Sequence, residues 1–99
     1  MRPMTLALAC ALLGPATALA ADVLKGGELY QLHCAVCHGG RGRPVMTAAP
    51  DLSNPMARMK PDPALLAAIR TGKGAMPAYQ GQLRDRDILD IVAHLRTLQ

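Results

Sequence analysis

The chain has 99 residues and a formal net charge of +4, and 51% of its residues are hydrophobic. It contains two tyrosines but no phenylalanine or tryptophan. A chain of this length forms one small domain, and so few aromatic rings leave its core short of apolar material unless a large cofactor supplies it. The basic residues are scattered along the chain, which argues against a nucleic-acid-binding patch.

Residues 1–20, MRPMTLALACALLGPATALA, have the pattern of a secretory signal peptide. Arg2 gives a positive start, residues 6–13 form an apolar run too short to span a bilayer, and residues 18–20 resemble a cleavage site. We therefore predict a signal peptide over residues 1–20 and an exported domain over residues 21–99. Cleavage removes Cys10 and Arg2, so the domain keeps two cysteines and a net charge of +3.

The domain is predicted to be all-α, because helical patterns recur along it and no stretch alternates as a strand would. Asp22 is the predicted N-cap of a first helix that runs toward Cys34. A short helical turn is predicted from Pro55 to Met59. Asp62, followed by a first-turn proline, is predicted to cap the next helix, which Gly72 ends. The apolar stripe of this helix is formed by Leu65, Leu66 and Ile69.

The final helix has the strongest periodicity. Its apolar residues fall on one face at helical spacing: Ile88, Ile91, Val92, Leu95 and Leu98. Asp85 and Asp87 lie early in this helix and Arg96 late, as the helix dipole favours, and Asp85 is the candidate N-cap. Two loops rich in glycine and proline, residues 39–50 and 72–81, separate the helices and need a surface to pack against.

The stretch HCAVCHGG, residues 33–40, carries the chemistry of this sequence. A redox dithiol of the thioredoxin type would need a βαβ context, which is missing. A disulfide between Cys34 and Cys37 would close too small a loop to stabilise the domain much. Zinc needs four ligands around it, and two adjacent Cys/His pairs on one helical turn cannot readily surround an ion.

A covalently attached haem explains each residue of the motif. The thiols of Cys34 and Cys37 add to the two haem vinyl groups as thioethers, and His38 is then held under the iron. A low-spin electron-transfer haem also needs a sixth ligand, and a methionine thioether in that position raises the reduction potential.

Four methionines remain in the domain: Met46, Met56, Met59 and Met76. Met76 lies in GKGAMPAY, away from any apolar helical stripe, where Gly74 permits close backbone approach and Pro77 stiffens the exit. Met76 is therefore the predicted sixth ligand, and Met59 is the alternative.

With these motifs on the page, the sequence resembles the class I (mitochondrial-like) monohaem cytochrome c family, in its small bacterial periplasmic form. The resemblance covers nearly all of residues 21–99 and rests on Gly26 and Tyr30 together with CAVCHG, APDLS, GAMPAY and LRDRDILDIVAHLRTL. It implies a small cytochrome c fold, with three main helices and a short one wrapped around one covalently bound haem c.

The resemblance also implies further site residues. Pro50 and Leu52 would line the haem pocket, with the Pro50 carbonyl accepting a hydrogen bond from the second nitrogen of the axial histidine. Pro44 is a less favoured substitute for Pro50. His94 stands where the family usually has an aromatic residue, and we interpret it as a packed histidine with one nitrogen in water. His33, next to the motif, is predicted to be a surface residue.

One helix crossing follows from the same resemblance, because the first and last helices of the family approach each other closely at a glycine. The crossing would here involve Gly26, Tyr30, Ile91 and His94.

The implied function is a periplasmic electron carrier rather than an enzyme, with redox proteins as partners, no nucleic acid and no stable membrane insertion. The protein would be a monomer or an enzyme subunit. A basic docking rim could draw on five residues: Lys25, Arg41, Arg43, Lys73 and Arg86. Two alternatives stay open, namely a haem-bearing subunit of a periplasmic dehydrogenase or reductase, and a small haem peroxidase or gas-binding protein with an open sixth position.

Overall fold

The computed structural model describes residues 20–99, so the predicted signal peptide lies outside the described residues except for Ala20. The helices are α1 (Val23–His33), α2 (Ala35–His38), α3 (Pro55–Arg58), α4 (Asp62–Thr71) and α5 (Asp85–Leu95). Residues 20–99 contain no strand, only two isolated bridges in turns. The all-α prediction is confirmed, with three helices of ten or eleven residues. A second short helix, α2, was not predicted.

Helix α1 begins as its sequence predicts. The Asp22 carboxylate accepts a hydrogen bond from the backbone N–H of Lys25 at 3.0 Å, which satisfies one of the free amides of the first turn. The Asp22 N–H in turn donates to the Asp90 carboxylate of α5 at 2.8 Å. The start of α1 is thereby tied to α5.

Helix α4 begins one residue earlier than predicted. Its N-cap is Pro61, and Asp62 already has helical geometry. The predicted capping role of Asp62 is wrong because its carboxylate pairs instead with the Arg96 guanidinium at 2.6 Å. Gly72 ends the helix as expected, in the left-handed region at φ 72°.

Helix α5 also begins one residue early, with Arg84 as its N-cap. The predicted cap, Asp85, faces Arg70 at 3.4 Å. The carboxylate that closes the start of α5 belongs to Asp87, which accepts the Arg84 N–H at 3.0 Å and both Nε and Nη2 of the same residue. Arginine can therefore occupy the cap position because the third helical residue supplies the acceptor.

Helices α1 and α5 cross at the predicted place. A Cβ on Gly26 would lie 1.8 Å from the Asp90 carbonyl oxygen, so only glycine permits the approach. Tyr30 is fully buried, and its ring lies 5.1 Å from that of His94. The packing prediction for His94 is confirmed, and its Nε2 is buried with no hydrogen-bond partner among residues 20–99.

The core has two clusters that share α5. One cluster joins α4, α5 and the segment before α5: Leu65, Ile69, Tyr79, Ile88 and Val92. The other joins α1 and α5: Tyr30, Ile91, Leu95 and Leu98. These residues are separated by an apolar cleft, and this cleft contains the candidate site.

Candidate haem-binding site

A central cleft opens between the two core clusters. Its cavity volume is about 220 Å³ when the open solvent at its mouth is left out. Its wall is formed by Tyr30, Cys34, His38, Pro50, Leu52, Ala57, Lys60, Leu65, Ala68, Ile69, Met76, Ile91 and Leu95. Most of these side chains are apolar, so the cleft would place a flat apolar cofactor where a core made of side chains alone is incomplete.

The predicted attachment residues lie in residues 33–38, which we call the attachment turn: Cys34 joins α1 to α2, and Cys37 lies within α2. Cys34 is half-buried and lines the central cleft, and Cys37 follows one turn later without being part of its wall. The His38 N–H donates to the Cys34 carbonyl at 2.9 Å, so the helical turn fixes the histidine relative to the first thiol. The two thiols form no disulfide, and burial together with the nearby Cys37 raises the pKa of Cys34 to about 11.

His38 gives a direct test of whether the site fits a metal-bearing cofactor. Its Nδ1 is buried and forms no hydrogen bond with any of residues 20–99. Burial lowers the pKa of His38, and the nearby Pro50 carbonyl offsets only part of this effect. A neutral imidazole that binds iron through Nε2 and turns Nδ1–H toward Pro50 would satisfy both nitrogens. The residues therefore fit the haem predicted from the sequence.

Residues 39–54, which we call the histidine loop, begin directly behind His38. Gly39 has φ 81°, and a Cβ there would lie 1.9 Å from the Arg43 carbonyl oxygen. The Tyr30 hydroxyl donates to the Gly39 carbonyl at 2.6 Å. The start of this loop is thus anchored on α1.

The rest of the histidine loop is held by its backbone. The Cys37 carbonyl accepts the amides of Val45 and Met46 at 2.9 and 3.1 Å, and the Leu52 amide donates to the Gly42 carbonyl at 2.8 Å. These bonds return the chain to the cleft, where Pro50 and Leu52 form part of the wall. The predicted pocket residues are therefore placed together with Cys34 and His38.

Residues 72–84, which we call the methionine loop, carry Met76 into the same cleft. Lys73 and Met76 exchange two backbone hydrogen bonds of 3.0 Å each. A Cβ on Gly72 would lie 2.6 Å from the Met76 carbonyl oxygen, so glycine is required for this tight turn. Met59, the alternative ligand, is 71% exposed and lies outside the cleft wall.

A pair of arginines holds α3 against the end of α5. The Arg58 guanidinium donates to the carbonyls of Leu95 and Arg96 at 3.4 and 3.3 Å. Arg96 donates back to the Arg58 carbonyl, to the Lys60 carbonyl at 2.9 Å and to the Asp62 carboxylate. This bracing fixes the segment that closes one side of the cleft.

Some wall residues were missed by the sequence analysis. Ala57 and Lys60 belong to the braced segment, and nothing in their sequence context distinguishes them from loop residues. Leu65, Ile69 and Leu95 were predicted only as helix-packing residues, although the apolar stripe was the signal that could have identified them as walls.

His33 differs from its prediction as a surface residue. It is half-buried, and the Tyr79 ring meets its imidazole edge-on at a centroid distance of 5.7 Å. The five proposed rim residues, in contrast, are all exposed: Lys25, Arg41, Arg43, Lys73 and Arg86. In the part of the chain that the structure covers, no helix has the length and apolarity to cross a membrane.

Comparison with known proteins supports the same family. Residues 21–95 match the protein-family model described as cytochrome C oxidase, cbb3-type, subunit III. Cytochrome c6 of Thermosynechococcus vestitus is 37% identical over 93 residues, covering 90% of this chain and 83% of the relative. Cytochrome c6 of Nostoc sp. is 35% identical over 81 residues, covering 79% of this chain and 72% of the relative.

A solved structure gives the corresponding result for the fold. Cytochrome c6 from the diatom Phaeodactylum tricornutum superposes with a TM-score of 0.65 at 26% sequence identity. The superposition covers 76% of this chain and 91% of the diatom protein. The fold is thus shared with a known protein over most of its length.

Proposed function

The chain belongs to the cytochrome c family, as a small class I monohaem cytochrome with one covalently bound haem c, and from that premise we propose how it holds the haem and carries electrons. It is a small c-type electron carrier. In this proposal Cys34 and Cys37 would hold the haem through thioether bonds, and His38 and Met76 would bind its iron. When bound, the haem supplies a single-electron couple between ferrous and ferric iron.

One observation carries the proposal: Cys34, His38 and Met76, from two segments about 40 residues apart in the sequence, meet in the wall of a single apolar cleft. An apolar wall limits solvent access, which is one of the means by which a protein sets the reduction potential of a haem. Pro50 lies in the same wall, and in this proposal its carbonyl would accept a hydrogen bond from His38 Nδ1 and so orient the imidazole.

The way in which Met76 is held favours a carrier over a peroxidase or gas-binding protein. The methionine loop closes on itself through the paired Lys73–Met76 bonds, and Met76 is half-buried in the cleft. A Met76 thioether held in this way would stay bound to the iron in both oxidation states. Little rearrangement would then accompany electron transfer, and exogenous ligands would be excluded.

A haem-bearing subunit of a larger redox enzyme is a second candidate function, and the match to the subunit III family model favours it. The chemistry at the haem would be the same, but the protein would be purified in a stable complex rather than alone. In either case we propose that the signal peptide over residues 1–20 exports the chain to the periplasm. The exposed basic residues would there meet an acidic surface of a redox partner.

The test is spectroscopy and intact-mass analysis of the exported protein, with Met76→Ala and Met59→Ala as a matched pair. We expect a mass increase of one haem, a low-spin c-type spectrum, and a methionine–ferric-iron band that disappears only in Met76→Ala. Survival of the band in Met76→Ala would contradict the assigned ligand. Rapid binding of carbon monoxide or cyanide by the wild type would instead favour a haem peroxidase or gas-binding protein.

A further inference from the structure

The methionine loop is joined to the attachment turn by one side-chain hydrogen bond. The Tyr79 hydroxyl donates to the His33 carbonyl at 2.9 Å, across 46 residues of sequence. His33 directly precedes Cys34, and Tyr79 follows Met76 by one proline and one alanine. The bond therefore connects the neighbourhoods of the first proposed thioether and of the proposed sixth ligand.

The His33 carbonyl is available because the helix breaks at this point. Helix α1 ends at His33 and α2 starts at Ala35. The amide that would complete the next α-helical bond belongs to Cys37, and it donates to the Cys34 carbonyl at 3.2 Å instead. The carbonyl at the end of α1 thus lacks its helical partner, and the Tyr79 hydroxyl supplies one.

Tyr79 is itself held firmly. It is 8% exposed and packs in the cluster formed with Ile69 and the inner face of α5. Its N–H donates to the Ile69 carbonyl at 3.2 Å, and its own carbonyl accepts the amides of Gln82 and Leu83 at 2.9 Å each. The ring also packs edge-on against His33. The hydroxyl therefore acts from a fixed point of the core.

We propose that Tyr79 is a positioning residue, whose hydroxyl ties the methionine loop to the attachment turn and thereby slows displacement of the Met76 thioether from the iron. In this proposal His38 directly follows Cys37, which is bonded to the haem, whereas no residue next to Met76 is bonded to it. The position of Met76 therefore depends on its loop and on the packing around it. Pro77 restricts the backbone between Met76 and Tyr79, and a fixed Tyr79 therefore limits how far Met76 can withdraw. This inference rests on the proposed Met76 ligation.

The test compares Tyr79→Phe with Thr97→Val in the haem-loaded protein. Both substitutions remove one hydroxyl that donates to a backbone carbonyl, since Thr97 donates to the His94 carbonyl at 2.6 Å outside both loops and the cleft. Phenylalanine keeps the packed ring. The measured quantity is the rate at which imidazole replaces the methionine in the ferric protein, followed by loss of the methionine–iron band.

We expect Tyr79→Phe to exchange its ligand about fivefold faster, the equivalent of one ordinary hydrogen bond, while Thr97→Val stays within about twofold of the wild type by the same measure. Amide hydrogen exchange should rise at Met76 and Leu83 in Tyr79→Phe only. The positioning role is overturned if imidazole replaces the methionine in Tyr79→Phe at the wild-type rate, or if both variants are accelerated equally. A wild type without any methionine–iron band overturns the ligand assignment itself, which is a distinguishable result.

Discussion

The histidine loop and the methionine loop both need glycines and both contribute residues to the central cleft, but they are held in place by different contacts. In the histidine loop, most residues between Arg41 and Ala48 are exposed, and its contacts are mainly backbone hydrogen bonds. In the methionine loop, a buried tyrosine packs in the core and bonds to the attachment turn.

The difference follows from where each ligand lies. His38 belongs to a helical turn that also contains both cysteines, so its position is set before the histidine loop begins. That loop has only to bring the Pro50 carbonyl and Leu52 to the cleft. Met76 lies within its loop, so it is restrained by the loop's own turn and by packing against the core cluster that contains Tyr79.

The largest expected effect comes from removing the two cysteines that would attach the haem next to His38. We predict that Cys34→Ala combined with Cys37→Ala leaves a chain without haem and without a cooperative fold, because the central cleft would then separate two small core clusters. Far-ultraviolet circular dichroism during thermal melting measures this. A haem-free helical domain that melts cooperatively would show that side chains alone are a sufficient core.

The two loops can be compared next through their glycines. Gly39→Ala and Gly72→Ala each combine a left-handed φ with a clash against backbone, at 1.9 and 2.6 Å. We expect each to lower the free energy of unfolding by about 3 kcal/mol. Only Gly72→Ala should also weaken the methionine–iron band in the folded protein, because only that loop carries its ligand.

Gly74→Ala and Gly81→Ala are the matched controls for these substitutions. Both glycines have positive φ, and a Cβ at either position meets nothing within 4 Å. Their cost should therefore be the backbone strain alone, about 1 kcal/mol. Equal losses at Gly72 and Gly74 would mean that the clash at the methionine turn is relieved without consequence.

Much of the fold could be predicted from the sequence, because its helices have local signals. The Asp22 cap, the apolar face of α5 and the Gly26 crossing were all found where expected. The predicted caps at Asp62 and Asp85 were wrong because both carboxylates have arginine partners that lie far away in sequence. Competition between a local cap and a distant ion pair has no signature in the sequence of either segment.

The candidate site could likewise be predicted where its signals are local in the sequence, but not where they depend on contacts between distant segments. The motif around Cys34 and His38 is local, and the structure lines one cleft with five of the six predicted site residues, while their roles at the haem stay predictions. The bond from Tyr79 to His33 could not be foreseen. Its acceptor is a backbone carbonyl that is free only because the helix breaks at Cys34.

The two tyrosines allow the loop anchors to be compared by pH. Burial is the main cause that raises the pKa of Tyr30 to about 12, and burial also raises the pKa of Tyr79. The charge of Cys34 contributes to both shifts and is lost once that thiol becomes a thioether. An unfolded tyrosine ionises near pH 10, so stability is complete below that value and falls as the pH rises toward the folded pKa.

We therefore predict that the free energy of unfolding falls by about 2 kcal/mol between pH 10 and 12, mostly through Tyr30. Tyr30→Phe should remove most of this decline and Tyr79→Phe a smaller part, as measured by denaturant titration at several pH values. An equally steep decline in Tyr30→Phe would mean that the anchor of the histidine loop is not the deeper of the two.

The smallest expected effect lies outside both loops, at the α1–α5 crossing, and serves as a reference for substitutions within the loops. Burial lowers the pKa of His94, whose Nε2 has no partner among residues 20–99. The folded state thus favours the neutral ring, and stability should be complete above about pH 6.5 and decrease below it as the unfolded chain takes up the proton. The lowered pKa values of Asp51 and Asp87 place their own contributions below about pH 4, so they do not overlap this window. His94→Phe should flatten the stability profile between pH 5 and 6.5 by less than about 1 kcal/mol and leave the methionine–iron band unchanged. A band that shifts with His94 would show that the crossing, and not only Tyr79, governs how Met76 is held.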